Sequence, residues 1–325
     1  MRLVLAPLAE LTDAPCRRMC FEGGADLAYT EMVSAAALLH GSSPTRHLME
    51  KMPGEGPVVC QLFGSEPEEL AFAAHEAAML RDGDSPRFVA IDLNAGCPMP
   101  RIVRSGCGAR LVTDPERVYR LLKAMVAASG GLPVTLKTRL GPKTGEDTVF
   151  ELLDAAERAG AKGITVHARY TSQMHGGPVA LDRLAEVVSR ARIPVTGNGG
   201  VRTAKDVSAM AATGVDAVMI GRAMLPDPAV FSKLRAKLRG EEPPAPPWDE
   251  PPPLRHLAYL VEFRRVIAEK YPGDHVMSED AFVSVKMHRH LFHYFKGRPG
   301  AAALRARLNS IRTLAEVRAA MAECL

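Results

Sequence analysis

The chain of 325 residues lacks the features of a membrane-spanning or exported protein. No apolar run approaches the ~20 residues that a transmembrane helix needs. The opening MRLVLAPLAE has one arginine and a short apolar stretch that soon reaches an acid, whereas a signal peptide has a longer apolar region and a small-residue cleavage site. We therefore expect mature sequence, no membrane partner and a cytoplasmic location.

Cysteine is scarce as well, and its spacing favours neither disulfides nor a metal site. There are six cysteines, and a chain of this size does not need disulfides for stability. Cys16 and Cys20 would share one helix face, but no His/Cys pair lies near them in the sequence to complete a zinc site. We interpret them as buried thiols, and we expect a reduced, metal-free monomer.

Strand and helix patterns alternate over the first 240 residues. Eight apolar runs predict strands at 3–6, 26–30, 58–63, 88–93, 134–138, 163–166, 195–196 and 217–220. Such runs are typical of parallel strands buried on both faces, and a βα unit takes roughly 30 residues. The fold class predicted is α/β, a (β/α)8 TIM barrel. A doubly wound sheet is the alternative, but Ala6-Pro7-Leu8 stands where its glycine-rich fingerprint belongs.

Short sequences that favour helix starts separate the strands. The clearest is Ser65-Glu66-Pro67-Glu68, which has the pattern of a capping box with an early proline. Further starts are predicted at Thr113-Asp114-Pro115, at Thr203 and at Asp227-Pro228.

Residues 241–253, EEPPAPPWDEPPP, contain seven prolines and predict a stiff, extended linker. It would join a barrel domain, residues 1–240, to a small all-helical domain, residues 254–325. That last segment carries twelve Lys and Arg against seven Asp and Glu, a net +5 in a chain of net +4. A docking surface for a polyanion and an ordinary solvated helix surface both fit this charge.

The active site of a TIM barrel forms at the carboxyl ends of the strands. The residues expected there are mostly polar or glycine: Pro7, Glu31, Gln61, Asn94, Lys137, His167, Asn198 and Gly221. Strand seven ends in Asn198-Gly199-Gly200 and strand eight in Gly221-Arg222, where glycine lets backbone N–H groups approach a phosphate and arginine adds charge. These positions predict a phosphate-bearing cofactor, although the glycines could also serve only as turns.

Two further residues carry candidate chemistry. Lys137 lies on an apolar strand, where a lysine is costly unless it is paired or functional. Cys97 follows strand four and would stand above the barrel mouth, as a reactive thiol or as a buried one. No general base accompanies it in the sequence, which argues against a cysteine hydrolase.

Six short motifs, taken together, resemble the tRNA-dihydrouridine synthases. They are A-P-x at residues 6–8, N-x-G-C-P at 94–98, K-x-R-L-G at 137–141, H-x-R at 167–169, N-G at 198–199 and I-G-R at 220–222. The stretches DLNAGCP, SGCGARL and DPERVY look most like the bacterial C-type subfamily. Ser34 departs from that subfamily, which tends to have arginine there.

The resemblance implies a cofactor, a reaction and a partner. FMN would be held by Pro7, Leu8, Ala9, Gln61, Lys137, His167, Asn198, Gly199, Gly200, Gly221 and Arg222. A D-loop uridine of tRNA, extracted from the folded D-arm, would receive hydride from reduced FMN at C6 and a proton from Cys97 at C5. NADPH or NADH would reduce the flavin again. Asn94 and Arg139 match positions that hold the uracil, and Lys286 and Arg289 are expected tRNA contacts.

Two alternatives stay open from the sequence. The flavin barrel could act on a free small molecule, such as a pyrimidine or an enone, or the chain could bind RNA without catalysis.

Overall fold

The computed structural model describes residues 1–323, and its centre is a closed barrel of eight parallel strands. The strands are β1 (Arg2–Leu5), β2 (Leu27–Tyr29), β3 (Val58–Phe63), β4 (Ala90–Ala95), β5 (Val134–Arg139), β6 (Ile164–His167), β7 (Val195–Asn198) and β8 (Ala217–Ile220). Each strand pairs with the next, and β8 pairs with β1. The predicted (β/α)8 barrel is therefore confirmed.

Helices surround the barrel and continue beyond it. Those of the first 240 residues are α1 (Ala14–Glu22), α2 (Ala35–Leu39), α3 (Ser43–His47), α4 (Pro67–Met79), α5 (Pro100–Arg104), α6 (Pro115–Ala128), α7 (Val149–Ala159), α8 (Leu181–Arg190), α9 (Ala204–Ala211) and α10 (Val230–Leu238). Four more follow: α11 (Pro252–Lys270), α12 (Glu279–Tyr294), α13 (Ala301–Arg307) and α14 (Leu314–Ala322). A short strand, Val33–Ser34, adds to β3, and Arg81–Asp82 pairs with Ser85–Pro86 in a small hairpin.

Alternation along the strands decides which side chains reach the barrel interior. On β4, Ile91 and Leu93 join the large core between strands and helices, whereas Ala90 joins a small separate cluster with Val4 of β1. Because successive residues of a strand face opposite sides, Asp92 and Asn94 point the same way as Ala90. The polar residues of the site thus face the inside of the barrel.

The helix starts only partly follow the predictions. Thr203 caps α9 with a capping box, and Asp114 caps α6. The predicted box at Ser65 is wrong: Glu66 is the N-cap of α4 and makes no side-chain cap hydrogen bond. Helix α10 begins at Val230, three residues after Asp227.

The proline-rich segment is ordered at its end rather than extended throughout. Residues 241–247 are exposed and outside regular secondary structure, but Trp248 is buried and α11 already begins at Pro252. The Trp248 indole N–H donates to a carboxylate oxygen of Glu22 at 2.5 Å. The division into domains 1–240 and 254–325 with a linker stays a prediction, and residues 324 and 325 at its end lie outside the described residues.

The C-terminal helices share a core with the barrel. Met19 of α1 and Ala229 belong to the same buried cluster as Leu260, Phe263 and Met287. Cys16 and Cys20 are buried on α1, as expected, and the five cysteines of residues 1–323 are free thiols. Cys324 lies outside the described residues.

Within residues 1–323, no helix combines the length and apolarity needed to cross a bilayer.

Glu22 joins α1 to the C-terminal segment. Its carboxylate accepts hydrogen bonds from Trp248 and, at 2.7 Å, from the Tyr259 hydroxyl. We expect Glu22→Ala to lower the free energy of unfolding by about 1–3 kcal/mol, because two largely buried donors lose their acceptor. Urea unfolding measures this change.

Glu262→Ala is the matched control for Glu22→Ala. Among residues 1–323, Glu262 pairs with Arg18 alone, at 3.2 Å, and its side chain is 43% exposed, so its removal should cost less than about 1 kcal/mol. Equal effects of the two substitutions would contradict the proposed docking role of Glu22.

Candidate active site

The register of the barrel places the predicted site residues side by side. Asn94 of β4 is paired with Lys137 of β5, and Arg139 of β5 is paired with His167 of β6. His167 is in turn paired with Asn198 of β7. Polar residues on four consecutive strands therefore meet at the carboxyl end of the barrel, where TIM-barrel enzymes have their active sites.

A chain of hydrogen bonds runs from β4 to the loop that carries Cys97. The Asp92 carboxylate accepts from the Gln61 amide at 2.8 Å, and the Gln61 oxygen accepts from the Asn94 amide at 2.9 Å. The Asn94 oxygen accepts from the backbone N–H groups of Gly96 and Cys97, at 3.1 and 3.0 Å. Asn94 thereby fixes the start of the Cys97 loop.

Arg139 supports the same loop from β5. It is buried, and its Nε donates to the Gly96 carbonyl at 2.7 Å while Nη1 donates to the Tyr170 carbonyl at 3.2 Å. In this structure Asn94 and Arg139 act on the loop backbone. Their direct contact with a uracil stays a prediction.

The surroundings of Cys97 favour the protonated thiol. Burial raises the pKa of Cys97 above its ordinary value, although the Met99 N–H and the charges of Arg139 and Lys137 act in the opposite direction. A thiol that keeps its proton at neutral pH is a poor nucleophile. It is suited instead to deliver that proton to a developing carbanion.

Lys137 bridges the two halves of the site. Its Nζ donates to the Asn198 side-chain oxygen at 3.2 Å, and the Asn198 amide donates to the Met219 carbonyl at 2.9 Å. Burial, together with the charge of Arg139, lowers the pKa of Lys137 to about 8, even though Asp92 and Cys97 favour the cation. Lys137 can therefore place a positive charge inside the barrel mouth at neutral pH.

The loops after β6, β7 and β8 collect cations around two glycines. Gly199 and Gly200 have φ values of +115° and +75°, and a Cβ on either would lie 3.2 Å from Val179 Cγ1. The cations are Arg169, Arg202 and Arg222. Burial lowers the pKa of Arg169, and the nearby positive charges of Arg222 and Arg202 lower it further. None of the three arginines forms a salt bridge with any residue in the range 1–323. Such a group is a ready site for an anion such as phosphate.

Two buried polar atoms in this region lack a partner among the described residues. They are Nδ1 of His167 and Nη1 of Arg169. Burial, and then the charges of Lys137, Arg139 and Arg169, holds the pKa of His167 well below its ordinary range, so the ring is neutral. Unpartnered polar atoms beside a glycine-lined space, one of them an arginine N–H donor, fit a bound phosphorylated cofactor, since unsatisfied buried groups are costly. The residues present therefore fit FMN.

The first strand completes this half of the site. The Ala6 N–H donates to the Ile220 carbonyl at 2.8 Å, which joins the ends of β1 and β8. A Cβ on Gly221 would lie 3.9 Å from a Leu8 methyl group. The Leu8 N–H donates to the Thr12 hydroxyl at 2.9 Å. Leu8 therefore lies beside Gly221 on this side of the mouth, and the roles of Pro7 and Ala9 stay predictions.

Comparison with known proteins agrees with these observations. The sequence profile of the family described as "Dihydrouridine synthase (Dus)" matches residues 4–325. The chain belongs to the dihydrouridine synthase family. A Mycobacterium tuberculosis protein named "Probable tRNA-dihydrouridine synthase" is 31% identical over 326 residues, which cover 97% of this chain and 80% of that protein. A Treponema pallidum protein of the same name is 35% identical over 242 residues, covering 72% of this chain and 70% of that protein.

A third relative bears on the subfamily. The Pseudomonas putida protein named "tRNA-dihydrouridine synthase B" is 31% identical over 313 residues and covers 95% of this chain and 87% of its own. The expected likeness to the C-type subfamily has no support from this relative. Ser34, where that subfamily tends to have arginine, instead caps α2 by accepting from the Ala37 N–H at 3.2 Å.

Among solved structures, morphinone reductase in complex with tetrahydroNAD has a TM-score of 0.52 and 13% identity, covering 76% of this chain and 89% of that one. At this identity the likeness shows the barrel fold alone.

Lys286 and Arg289, the two basic residues expected to contact tRNA, form ion pairs with acidic residues of the barrel loops. Nζ of Lys286 lies 3.6 Å from the buried Glu31 carboxylate, and Arg289 pairs with Glu10. Both pairs tie α12 to the loops that follow β1 and β2. Contact of Lys286 with a phosphate would require breaking its pair with Glu31.

Sequence reasoning missed three residues of the site. Asp92 is a buried acid of the barrel, and Arg169 and Arg202 belong to the cation group. Arg169 stands in the H-x-R motif, which could have identified it. Arg202 follows the glycine pair by two positions, and nothing in its local sequence distinguishes it from a solvated arginine.

Gly108 shapes the loop around Cys97. It has φ +59°, and a Cβ there would lie 2.7 Å from the Cys97 carbonyl oxygen. We expect Gly108→Ala to destabilise the protein and to displace Cys97, so that the thiol is alkylated several-fold faster. Thermal unfolding and alkylation mapped to the Cys97 peptide measure both effects.

Gly106→Ala provides the comparison for Gly108→Ala. Gly106 also has positive φ, +79°, but its nearest neighbour for a Cβ is 3.5 Å away, so it carries only the backbone strain of about 1–2 kcal/mol. Identical stability and alkylation in the two variants would show that the close approach at Gly108 does not position Cys97.

Proposed function

We propose that this protein reduces a D-loop uridine of tRNA to 5,6-dihydrouridine, with FMN as cofactor, NADPH or NADH as reductant and Cys97 as proton donor. The single observation that carries the proposal is the Cys97 loop, whose backbone is held by Asn94 and Arg139 at the mouth of a barrel of the dihydrouridine synthase family. The names of relatives that match up to 97% of the chain support the choice of substrate.

The cofactor half of the site supports FMN. Arg169, Arg202 and Arg222 would bind its phosphate together with the backbone of Gly199 and Gly200. The flavin ring would lie among the other residues that the family resemblance implies for FMN: Pro7, Leu8, Ala9, Gln61, Lys137, His167, Asn198 and Gly221. FMN held by these residues would supply, once reduced by the nicotinamide cofactor, a hydride for C6 of the uracil.

The other half of the site handles the proton. Hydride addition at C6 leaves negative charge that C5 can discharge only by taking a proton. Cys97 holds one, since burial raises the pKa of its thiol. Arg139 and Lys137 place positive charge near the sulfur and would stabilise the thiolate that proton donation leaves. General acid catalysis of this kind contributes about 10²–10⁴-fold to a rate.

The tRNA must approach the barrel mouth and release one base from its stack. Lys286 and Arg289 were expected to contact its phosphates. Because both are engaged with Glu31 and Glu10, we place the principal phosphate contacts on exposed cations nearby in the chain, such as Lys296 and Arg298. The C-terminal helices would then bind tRNA through these exposed cations, while the ion pairs of Lys286 and Arg289 hold α12 against the barrel.

Cys97→Ala tests the proton donor. We expect dihydrouridine formation to fall about 10²–10⁴-fold because the general acid is lost, while the flavin absorbance of the purified protein is unchanged. Mass spectrometry of nucleosides from treated tRNA measures the product.

Cys107→Ala is the control for Cys97→Ala. Cys107 is a buried thiol in the same region, and it contacts the Ser105 carbonyl at 3.4 Å. This variant should keep most of the activity. Full activity of Cys97→Ala would remove the proposed role of the thiol, and a colourless protein that takes up no added FMN would contradict the flavin chemistry as a whole.

Lys296→Glu combined with Arg298→Glu tests the tRNA surface. We expect weaker tRNA binding and a shallower dependence of log Kd on log salt, because each lost phosphate contact lowers the slope by about 1. Filter binding over a salt series measures this. Lys162→Glu is the control, since this exposed residue precedes β6 at the opposite end of the barrel.

Equal tRNA affinity and salt slope in the double variant and the Lys162→Glu control would contradict this docking surface. If both variants and the wild-type protein failed to bind tRNA but retained reductase activity on a free pyrimidine, the substrate would be a small molecule.

A further inference from the structure

Three buried side chains that the proposed reaction does not use converge between the barrel and the C-terminal helices. Asp13 is the N-cap of α1, His256 lies on α11 and His290 lies on α12. Their exposures are 4%, 0% and 1%. One carboxylate oxygen and one ring nitrogen from each histidine all lie within 4.8 Å of one another.

Each of the three side chains has one atom without a hydrogen-bond partner among the described residues. These atoms are Oδ2 of Asp13, Nε2 of His256 and Nε2 of His290. A buried polar atom left without a hydrogen-bond partner destabilises the folded state. Three such atoms in one cluster of side chains indicate that a further group completes it, since buried polar groups are normally paired.

The second carboxylate oxygen of Asp13 and the second ring nitrogen of His256 already have partners. Oδ1 of Asp13 accepts from the Cys16 N–H at 3.0 Å and caps α1. Nδ1 of His256 lies 3.0 Å from the Tyr294 hydroxyl, and the two histidine rings meet edge to face with centroids 4.2 Å apart. A hydrogen bond at one ring nitrogen fixes a histidine so that the other nitrogen can bind a metal.

Nε2 of His256 lies 3.6 Å from Oδ1 of Asp13, which is too long for a hydrogen bond. The charged side chains of Lys286 and Glu31 form a pair with each other, with 3.6 Å between Nζ and the carboxylate.

We propose that Asp13, His256 and His290 form a binding site for one divalent transition-metal ion of the Zn²⁺ type. Two imidazole nitrogens and one carboxylate oxygen are ligands that such ions prefer, and a water molecule would complete a tetrahedral shell. The ion would join α1, α11 and α12. Thr12, next to Asp13, accepts the hydrogen bond from Leu8, so the site also adjoins the loop that lines the cofactor half of the active site.

Metal titration of the full-length protein, freed of metal by a chelator, tests the site. We expect one Zn²⁺ per chain by calorimetry and an increase in Tm on adding Zn²⁺, because a ligand that binds only the folded state stabilises it. Co²⁺ at the same site should give the visible absorption bands of tetrahedral coordination. None of these readouts depends on tRNA turnover, so this proposal and the proposed function can fail separately.

Two variants and one control assign the ligands. His290→Gln and Asp13→Asn should each lose the bound ion and the Tm increase, and asparagine can still cap α1. His288→Gln, a half-buried histidine of the same helix, should bind Zn²⁺ like the wild-type protein. Failure of the folded wild-type protein to bind Zn²⁺ or Co²⁺ would overturn the proposal, as would undiminished binding in both His290→Gln and Asp13→Asn.

Discussion

The geometry of the candidate active site depends on one buried carboxyl group, that of Asp92. It lies inside the barrel, where it accepts from the Thr135 hydroxyl at 2.6 Å and from the Gln61 amide at 2.8 Å. These two bonds fix the orientation of Gln61. The Gln61 oxygen accepts from the Asn94 amide, and the Asn94 oxygen accepts from the Cys97 backbone N–H. Burial raises the pKa of the Asp92 carboxyl above its ordinary value, although the hydrogen bonds from Thr135 and Gln61 act in the opposite direction.

The barrel divides its chemistry between its two sides. Strands β3 to β5 hold the thiol and its supports, whereas the loops after β6 to β8 hold glycines and arginines suited to a phosphate. Lys137 links the sides through its hydrogen bond to Asn198. Asn94 and Arg139 belong to adjacent strands and hold the backbone of the Cys97 loop, so the position of the thiol depends on the register of the sheet.

Much of this arrangement could be predicted from the sequence. Parallel strands buried on both faces leave long apolar runs, so the barrel follows from periodicity alone, and the polar strand ends locate the mouth. Gly199 and Gly200 were predicted because a phosphate-binding turn needs residues without a Cβ. Strand periodicity and strand-end residues are local patterns, which a single sequence is enough to recognise.

The parts that could not be predicted depend on partners far away in the chain. Lys286 and Arg289 look like free RNA-binding cations, but they pair with Glu31 and Glu10, more than 250 residues earlier. Trp248 lies in an apparent linker, yet it binds Glu22 of α1. Asp13 reads as an ordinary helix cap, and only the packing of α11 and α12 brings His256 and His290 to it. No local pattern encodes these contacts.

The central claim is that this barrel couples flavin oxidation to reduction of a tRNA uridine. The most direct measurement is an anaerobic single turnover, in which the protein is reduced with NADPH and mixed with an unmodified tRNA transcript while flavin absorbance is followed. We predict that the oxidised flavin spectrum returns only when tRNA is added, with one dihydrouridine formed per flavin oxidised. Return of the spectrum without dihydrouridine, or no return at all, would contradict the claim.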